Sequence, residues 1–181
     1  MADKFNGLIE DSRYCFAAAL YYYDEDAGYK NISQSLKYRR DFSSGKRFGK
    51  MLGEELAAAP LFEDVDAVVP VPLHWTRRWK RGYNQAEVIG KEIAKAIGCP
   101  LETEILKRKR KTKTQTKLGI EQKGSNVRGA FKAKGGKALK HILLIDDVFT
   151  TGSTLAACHS ALRECYGTEV RISVSTLGYV K

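Results

Sequence analysis

Residues 142 to 154 read Ile-Leu-Leu-Ile-Asp-Asp-Val-Phe-Thr-Thr-Gly-Ser-Thr, so two adjacent carboxylates are followed at once by a glycine set among hydroxyls. Ionised aspartates accept hydrogen bonds from vicinal hydroxyls, and they can hold the waters of a bound Mg²⁺. Thr150, Thr151, Ser153 and Thr154 surround Gly152 ahead of a segment with helical apolar spacing, Leu155 to Cys165. Backbone N–H groups at the start of such a helix, together with the hydroxyls, suit a phosphate. Carboxylates beside an anion cradle repel most anions, but not a ligand with hydroxyls or a divalent cation at one end and a phosphate at the other. A phosphorylated ribose has that form.

Other uses of the same residues fit less well. A P-loop ATPase also ends a strand on an acid, but its phosphate loop needs G-x-x-x-x-G-K-[ST]. The nearest run, Gly45-Lys46-Arg47-Phe48-Gly49-Lys50-Met51, has the wrong spacing and no hydroxyl. A phosphoacceptor receiver domain places paired acids on its first strand, whereas about 35 residues remain here after Asp146. A purely structural use, with Asp147 capping a turn and Thr154 the helix, leaves the second carboxylate and the other hydroxyls without a purpose.

For the acids to face a ligand they must emerge at the carboxyl end of a buried strand, where open α/β sheets bind their ligands. The apolar run Ile142 to Ile145 is short and continuous, as a central parallel strand covered on both faces should be. The spacing predicts further strands over 66–71, 101–106 and 170–179, with 141–147 as the central one, and 14–23 reads as an edge strand or a buried helix, with the aromatic residues at its end favouring the strand. Helices are predicted over 29–38, 45–59, 84–97 and 155–165, the third ended by Gly98 and Pro100. Strands alternating with helices imply a mostly parallel central sheet with crossover helices, an α/β fold. Residues 1–181 read as one domain, with an N-terminal strand and helices to about residue 60 and the core beyond.

Thirty-one Lys and Arg against 21 Asp and Glu give a net charge of +10, which favours polyanions without naming one. The excess gathers at Lys37 to Arg40, Arg77 to Arg81 and Lys107 to Lys117. No stretch approaches 18 apolar residues and no leader pattern opens the chain, so a cytoplasmic protein without membrane insertion is expected. Cys15, Cys99, Cys158 and Cys165 form no C-x-x-C pair. Cys158 and Cys165 share one face of the predicted helix, where core packing is the expected use.

The run 142–154 resembles type I phosphoribosyltransferases, and that resemblance implies displacement of a pyrophosphate from ribose C1, for which the loop after the Val-rich strand is the candidate source of cations. Arg77 and Arg81 stand there with His74, which either donates a proton to pyrophosphate or shapes the backbone, and Trp75 and Trp79 are expected to anchor the loop by packing. Arginine forks match pyrophosphate oxygens in pairs. Asn84 and Gln85 either touch the ligand or start the helix. Between Leu106 and Phe131 lies a basic loop where the resemblance to type I enzymes implies a water-excluding lid. Lys107, Arg108, Lys111 and Gln115 are its candidate contacts, with Asn126 and Arg128 at its base.

The run 142–154 closely resembles the signature of type I phosphoribosyltransferases. Val69 to His74, Arg81-Gly82-Tyr83-Asn84-Gln85, Gln115, Asn126 to Phe131 and the early segments 36–38 and 49–56 extend the likeness to the ComF (competence protein F)/GntX family. That resemblance implies the type I phosphoribosyltransferase fold, mostly parallel and flanked by helices, with a small N-terminal hood-like segment. It also implies phosphoribosyl pyrophosphate as ligand, Mg²⁺ as cofactor, a nitrogenous acceptor it does not identify, a homodimer, and a link to competence and DNA uptake. In it Asp146 and Asp147 hold the ribose hydroxyls and residues 150–154 the 5′-phosphate. Relatives usually open with a Cys-rich zinc ribbon that this chain lacks, so Met1 is expected to be an internal start or a point of truncation. Two rivals remain: a non-catalytic competence protein tracking single-stranded DNA with Lys107 to Lys117, and a sensor of phosphoribosyl pyrophosphate without turnover. The hood that would choose the acceptor falls on residues 14–23 and the chain end near Tyr179.

Overall fold

Residues 1–9, 16–23, 42–73, 79, 82–109 and 129–180 are described by the computed structural model of this chain. Strands β1 (Ala17–Tyr23), β2 (Ala67–Pro70), β5 (His141–Phe149) and β6 (Arg171–Val180) form a parallel sheet in the order β1–β6–β5–β2. With β6 on one side and β2 on the other, β5 is central, and Ile142, Leu143, Leu144 and Ile145 are fully buried. The uninterrupted apolar run follows from this position, since both faces of the strand meet other elements.

One face, carrying Ile142, Leu144, Ile172 and Val174, packs on α4 (Ser153–Tyr166) and on Phe5 of the short α1 (Ala2–Asn6). The opposite face, carrying Val68, Leu143, Ile145 and Leu177, packs on α2 (Phe42–Ala58) and α3 (Gln85–Ile97). The expected strand over 101–106 does not form. Leu101 makes a lone parallel bridge to Val68, and β3 begins only at Leu106 (Leu106–Arg108), pairing antiparallel with β4 (Phe131–Ala133) in a separate ribbon. Charge explains the gap: Glu102 pairs with Lys137 and Glu104 with Lys107, holding the intervening residues at the surface. The helix expected over 29–38 lies outside the described residues, whereas α1 was not anticipated. Cys158 is buried but Cys165 is exposed, which corrects the expectation that both pack in the core; the second lies in the last turn of α4, past the sheet it covers.

Helices α2 and α3 meet along Gly49 and Gly53. A Cβ at Gly49 would lie 2.9 Å from the Ile89 carbonyl oxygen, and one at Gly53 would lie 2.9 Å from the Ala96 Cβ. Helix propensity alone would make Gly→Ala stabilising by about 1 kcal/mol. Because the obstruction includes backbone, Gly49→Ala is instead expected to destabilise by about 1–2 kcal/mol, as overpacking does. Chemical denaturation measures this, and a stabilised variant would show the helices to be further apart.

At the opposite sheet edge from Asp146, His141 is fully buried. Its Nδ1 lies 2.7 Å from Asp64 Oδ1 and its Nε2 lies 2.8 Å from Ser173 Oγ. Both contacts are satisfied by a neutral ring, with Nδ1–H donating to the carboxylate and the serine hydroxyl donating to Nε2. Asp64 also pairs with Arg171, and Asp66 accepts from the backbone N–H of Lys140 and His141. Burial lowers the imidazole pKa to about 4, against an opposing pull from Asp66. A ring that resists protonation when folded contributes stability that is complete above its unfolded pKa of about 6.5 and is lost as pH falls towards 4. Solvent around the half-exposed Asp64 screens the pair, so the expected loss between pH 6.5 and 4.5 is about 1–2 kcal/mol. Unfolding midpoints across this window should fall more steeply for the wild type than for His141→Gln; equal slopes would assign the acid sensitivity to carboxylates elsewhere.

Candidate functional site

Strand β2 ends early. The N–H of Val71 donates to the Ile145 carbonyl at 2.8 Å, and beyond that bond the β2 flank of β5 is no longer in the sheet. On its other flank β5 stays paired with β6, from Asp146 opposite Thr176 to Phe149 opposite Tyr179. The two acids therefore stand at a step in the sheet edge, the type of crevice in which α/β folds bind ligands. Both side chains are half-buried and neither is packed in the core. Asp146 Oδ1 accepts from the Asp147 N–H and Asp147 Oδ1 from the Val148 N–H, each at 2.9 Å.

The chain then turns through Thr150 and Thr151 into Gly152, whose φ of 73° is the left-handed conformation that favours glycine. A Cβ there would come within 2.5 Å of the Phe149 ring and of Leu8 Cδ1, so the absence of a side chain is required on both counts. Gly152 is also the N-cap of α4; its carbonyl accepts the Ala156 N–H at 2.9 Å, and no side chain caps the helix. The first-turn N–H groups thus adjoin the Thr151 and Ser153 hydroxyls, which lie 3.1 Å apart. Thr154, read from sequence as a possible cap, lies inside the helix. Asp146 and all five loop residues, Thr150 to Thr154, line one small cleft. Asp147 is not part of that lining.

Charge at the site is partly legible from a neighbour. The Cys158 thiol, fully buried on α4, is pushed well above its usual pKa by burial first and by Asp146 second, while Arg108 acts in the opposite sense. Asp146 and Arg108 therefore both act on the α4 face of the sheet. The Arg108 guanidinium carbon sits 5.1 Å from the Phe131 ring centroid across the β3–β4 ribbon, so this residue belongs to that ribbon. Lys107 points outward and pairs with Glu104 at 2.7 Å. The Lys109 N–H donates to the Ala130 carbonyl at 2.8 Å, which holds the two ends of segment 110–128 together.

His74, Arg77, Arg81, Lys111, Gln115, Asn126 and Arg128 lie outside the described residues, as does Trp75. Trp79 is 91 % exposed, which corrects the expectation that its ring anchors the loop by packing. Asn84 starts α3: its Oδ1 accepts the Ala86 N–H at 3.2 Å and its Nδ2 donates to the Val71 carbonyl at 3.0 Å. That pair of bonds ties the helix to the end of β2, a structural answer to its two readings. The part played by residues 1–9 was not anticipated. Phe5 meets the Phe149 ring at 6.4 Å and the His159 ring at 5.8 Å, and Leu8 backs the Gly152 turn. The signal for it was three large apolar residues, Phe5, Leu8 and Ile9, among polar ones.

Among the described residues no three His, Cys, Asp or Glu side chains converge on a point that could hold a metal ion. No described helix is long and apolar enough to cross a membrane.

Residues 84–178 match the family model for the phosphoribosyl transferase domain, just over half of the chain. Competence protein F of Haemophilus influenzae is 34% identical over 110 residues, 59% of this chain and 48% of that protein. DNA utilization protein YhgH of Salmonella typhi is 32% identical over 128 residues, 69% of this chain and 56% of the other. Competence protein ComFC of Streptococcus pneumoniae is 30% identical over 143 residues, 78% of this chain and 60% of the other. The chain thus spans about half the length of the curated relatives it matches. The glutamine phosphoribosylpyrophosphate amidotransferase of B. subtilis, solved with ADP and GMP, superposes with a TM-score of 0.50 at 22% identity, over 78% of this chain and 30% of that one. At that identity the likeness is one of fold.

Proposed function

The chain belongs to the phosphoribosyl transferase domain family, in the branch of competence protein F, ComFC and YhgH, and on that premise we propose that it binds phosphoribosyl pyrophosphate with Mg²⁺ and transfers the 5-phosphoribosyl group to a nitrogen acceptor. The observation that carries this reading is the shared cleft of Asp146 and residues 150–154. Asp146, with Asp147 beside it, accepts the ribose 2′- and 3′-hydroxyls, and the loop hydroxyls and first-turn N–H groups of α4 receive the 5′-phosphate. Arg77, Arg81 and His74 take the pyrophosphate; Arg108, Lys107, Lys111 and Gln115 serve the lid. When bound, Mg²⁺ supplies charge neutralisation of the pyrophosphate.

The protein's own contribution is positional and electrostatic. As the acceptor nitrogen bonds to C1 the C1–O bond breaks, the pyrophosphate leaves with the electron pair, and C1 inverts. Cations placed where that negative charge grows lower the barrier, and a closed lid keeps water from capturing the sugar cation. Titration calorimetry with phosphoribosyl pyrophosphate and Mg²⁺, followed by a pyrophosphate-release assay with nitrogen acceptors, tests the proposal. Saturable heat with release identifies a transferase, heat without release a sensor, and no heat at millimolar ligand removes both.

A second reading is favoured by the outer face of the ribbon. Lys107 lies directly opposite Lys132 in register, flanked by exposed Lys109 and Lys134. Four lysines against Glu104, which pairs with Lys107, leave this face an excess of positive charge for a polyanion to meet. Single-stranded DNA on this face fits the process for which the relatives are named. Its affinity should fall steeply with salt and survive Asp146→Ala; salt-independent binding would exclude it.

A further inference from the structure

We propose that α1 braces the phosphosugar grip, with Phe5 as a positioning residue, so that docking of this short helix and binding of the ligand favour one another. This rests on the transferase reading above and adds to it the element that keeps the grip formed.

Three contacts place α1 against both halves of the grip. At its start Met1 Sδ lies 3.9 Å from the Thr176 hydroxyl, and Thr176 is the register partner of Asp146. In its middle the Phe5 ring, with no exposed surface, meets Phe149 at 6.4 Å and His159 at 5.8 Å, both edge-on. Just past its end Leu8 Cδ1 stands 2.5 Å from where a Cβ on Gly152 would be. Phe149 closes β5 and His159 belongs to α4, so one ring touches the elements on either side of the 150–152 turn. Phe5 thereby sets the separation of the strand and the helix that the turn joins.

The turn has little of its own to hold it. No side chain caps α4, and Gly152 sits at a φ of 73°. Phe149 also lines the cleft, so any movement of its ring reaches the site directly. Truncating a buried ring leaves a cavity into which the surroundings relax only in part. With Phe5 removed, Phe149 loses one wall of its pocket, and the N–H groups at the start of α4 shift with the turn.

The helix itself reports whether it is docked. Five residues are too few to persist as a helix in water, because nucleation costs more than one turn returns. Its form therefore depends on Phe5 and Ile9 entering the core that β5, β6 and α4 share. The Phe5 N–H donates to the Met1 carbonyl at 2.9 Å, that of Gly7 to Asp3 at 3.0 Å and that of Leu8 to Phe5 at 2.9 Å. These bonds form and break with docking. Linkage then requires saturating ligand to strengthen docking by the same factor by which docking raises ligand affinity.

Hydrogen exchange of the wild type, with and without saturating phosphoribosyl pyrophosphate and Mg²⁺, tests the proposal beside titration calorimetry of the wild type and Phe5→Ala. Exchange at Phe5, Gly7 and Leu8 is expected to slow at least fivefold on saturation. The N–H groups of Phe62 and Val65, in and after the short turn Pro60–Phe62 that precedes β2 at the amino end of the sheet, should stay within twofold. Phe5→Ala is expected to bind the ligand at least fivefold more weakly. A helix that serves the fold alone would show exchange at Phe5, Gly7 and Leu8 that ligand slows no more than at Phe62 and Val65. That result, or a loss of affinity in Phe5→Ala of less than fivefold, would overturn the inference and leave the transferase reading standing. Should Phe5→Ala not fold, the exchange measurement on the wild type decides alone. Failure of the wild type to bind phosphoribosyl pyrophosphate would overturn both.

Discussion

Gly152→Ala is expected to weaken phosphoribosyl pyrophosphate binding by roughly 30- to 150-fold, about 2–3 kcal/mol at tenfold per 1.4 kcal/mol. A non-glycine residue held at φ 73° costs about 1 kcal/mol or more by itself. The added methyl also meets Phe149 Cζ and Leu8 Cδ1, each at 2.5 Å. Leu8 is 44 % exposed and can swing away, but Phe149 is wedged between Phe5 and Tyr179 and is almost fully buried. The backbone must therefore yield, and the N–H groups at the start of α4 move with it. Calorimetric titration measures the change; an affinity within threefold of the wild type would mean that the turn takes no part in the site.

Asp146→Asn is expected to cost about 1.5–3 kcal/mol of the same binding energy, the usual worth of hydrogen bonds to a charged group, or roughly 10- to 150-fold. An amide of the same shape keeps one acceptor oxygen and loses the negative charge, so the loss reports on hydroxyl recognition rather than packing. Asp147→Asn should cost less, because Asp147 lies outside the lining that Asp146 shares with the loop. Circular dichroism of both variants should be unchanged. An Asp147 effect exceeding that of Asp146 would reverse their assigned weights.

The central strand, the acids, the hydroxyl turn and α4 were legible in sequence because each rests on local chemistry. An apolar run, an acid pair and a glycine among hydroxyls need no distant partner to be recognised. Asn84 was legible as one of two possibilities, and the Val71 carbonyl, 13 residues away in the chain, decided between them. What stayed hidden depends on contacts far apart in sequence. The His141 pairing with Asp64 spans 77 residues, and nothing in the local pattern marks a histidine opening an apolar strand as the partner of a surface acid. The five-residue α1 is too short to show periodicity, and its place is set by Phe5 against Phe149 and His159. The displaced strand after Leu101 is a local miscalculation of another kind, because Glu102 and Glu104 should have weighed against a buried run. Cys165 shares the helical face of Cys158 but lies beyond the edge of the sheet, a limit that periodicity alone does not encode.

The central claim is that Asp146 and the 150–154 turn hold one phosphosugar between them. Titration of the wild type, Asp146→Asn and Gly152→Ala with ribose 5-phosphate in the presence of Mg²⁺, beside parallel titrations with ribose and with inorganic phosphate, tests it most directly. Ribose 5-phosphate is expected to bind the wild type at least tenfold more tightly than either fragment, and both substitutions are expected to remove that advantage. Ribose 5-phosphate binding no better than inorganic phosphate, or an advantage that survives either substitution, would contradict it.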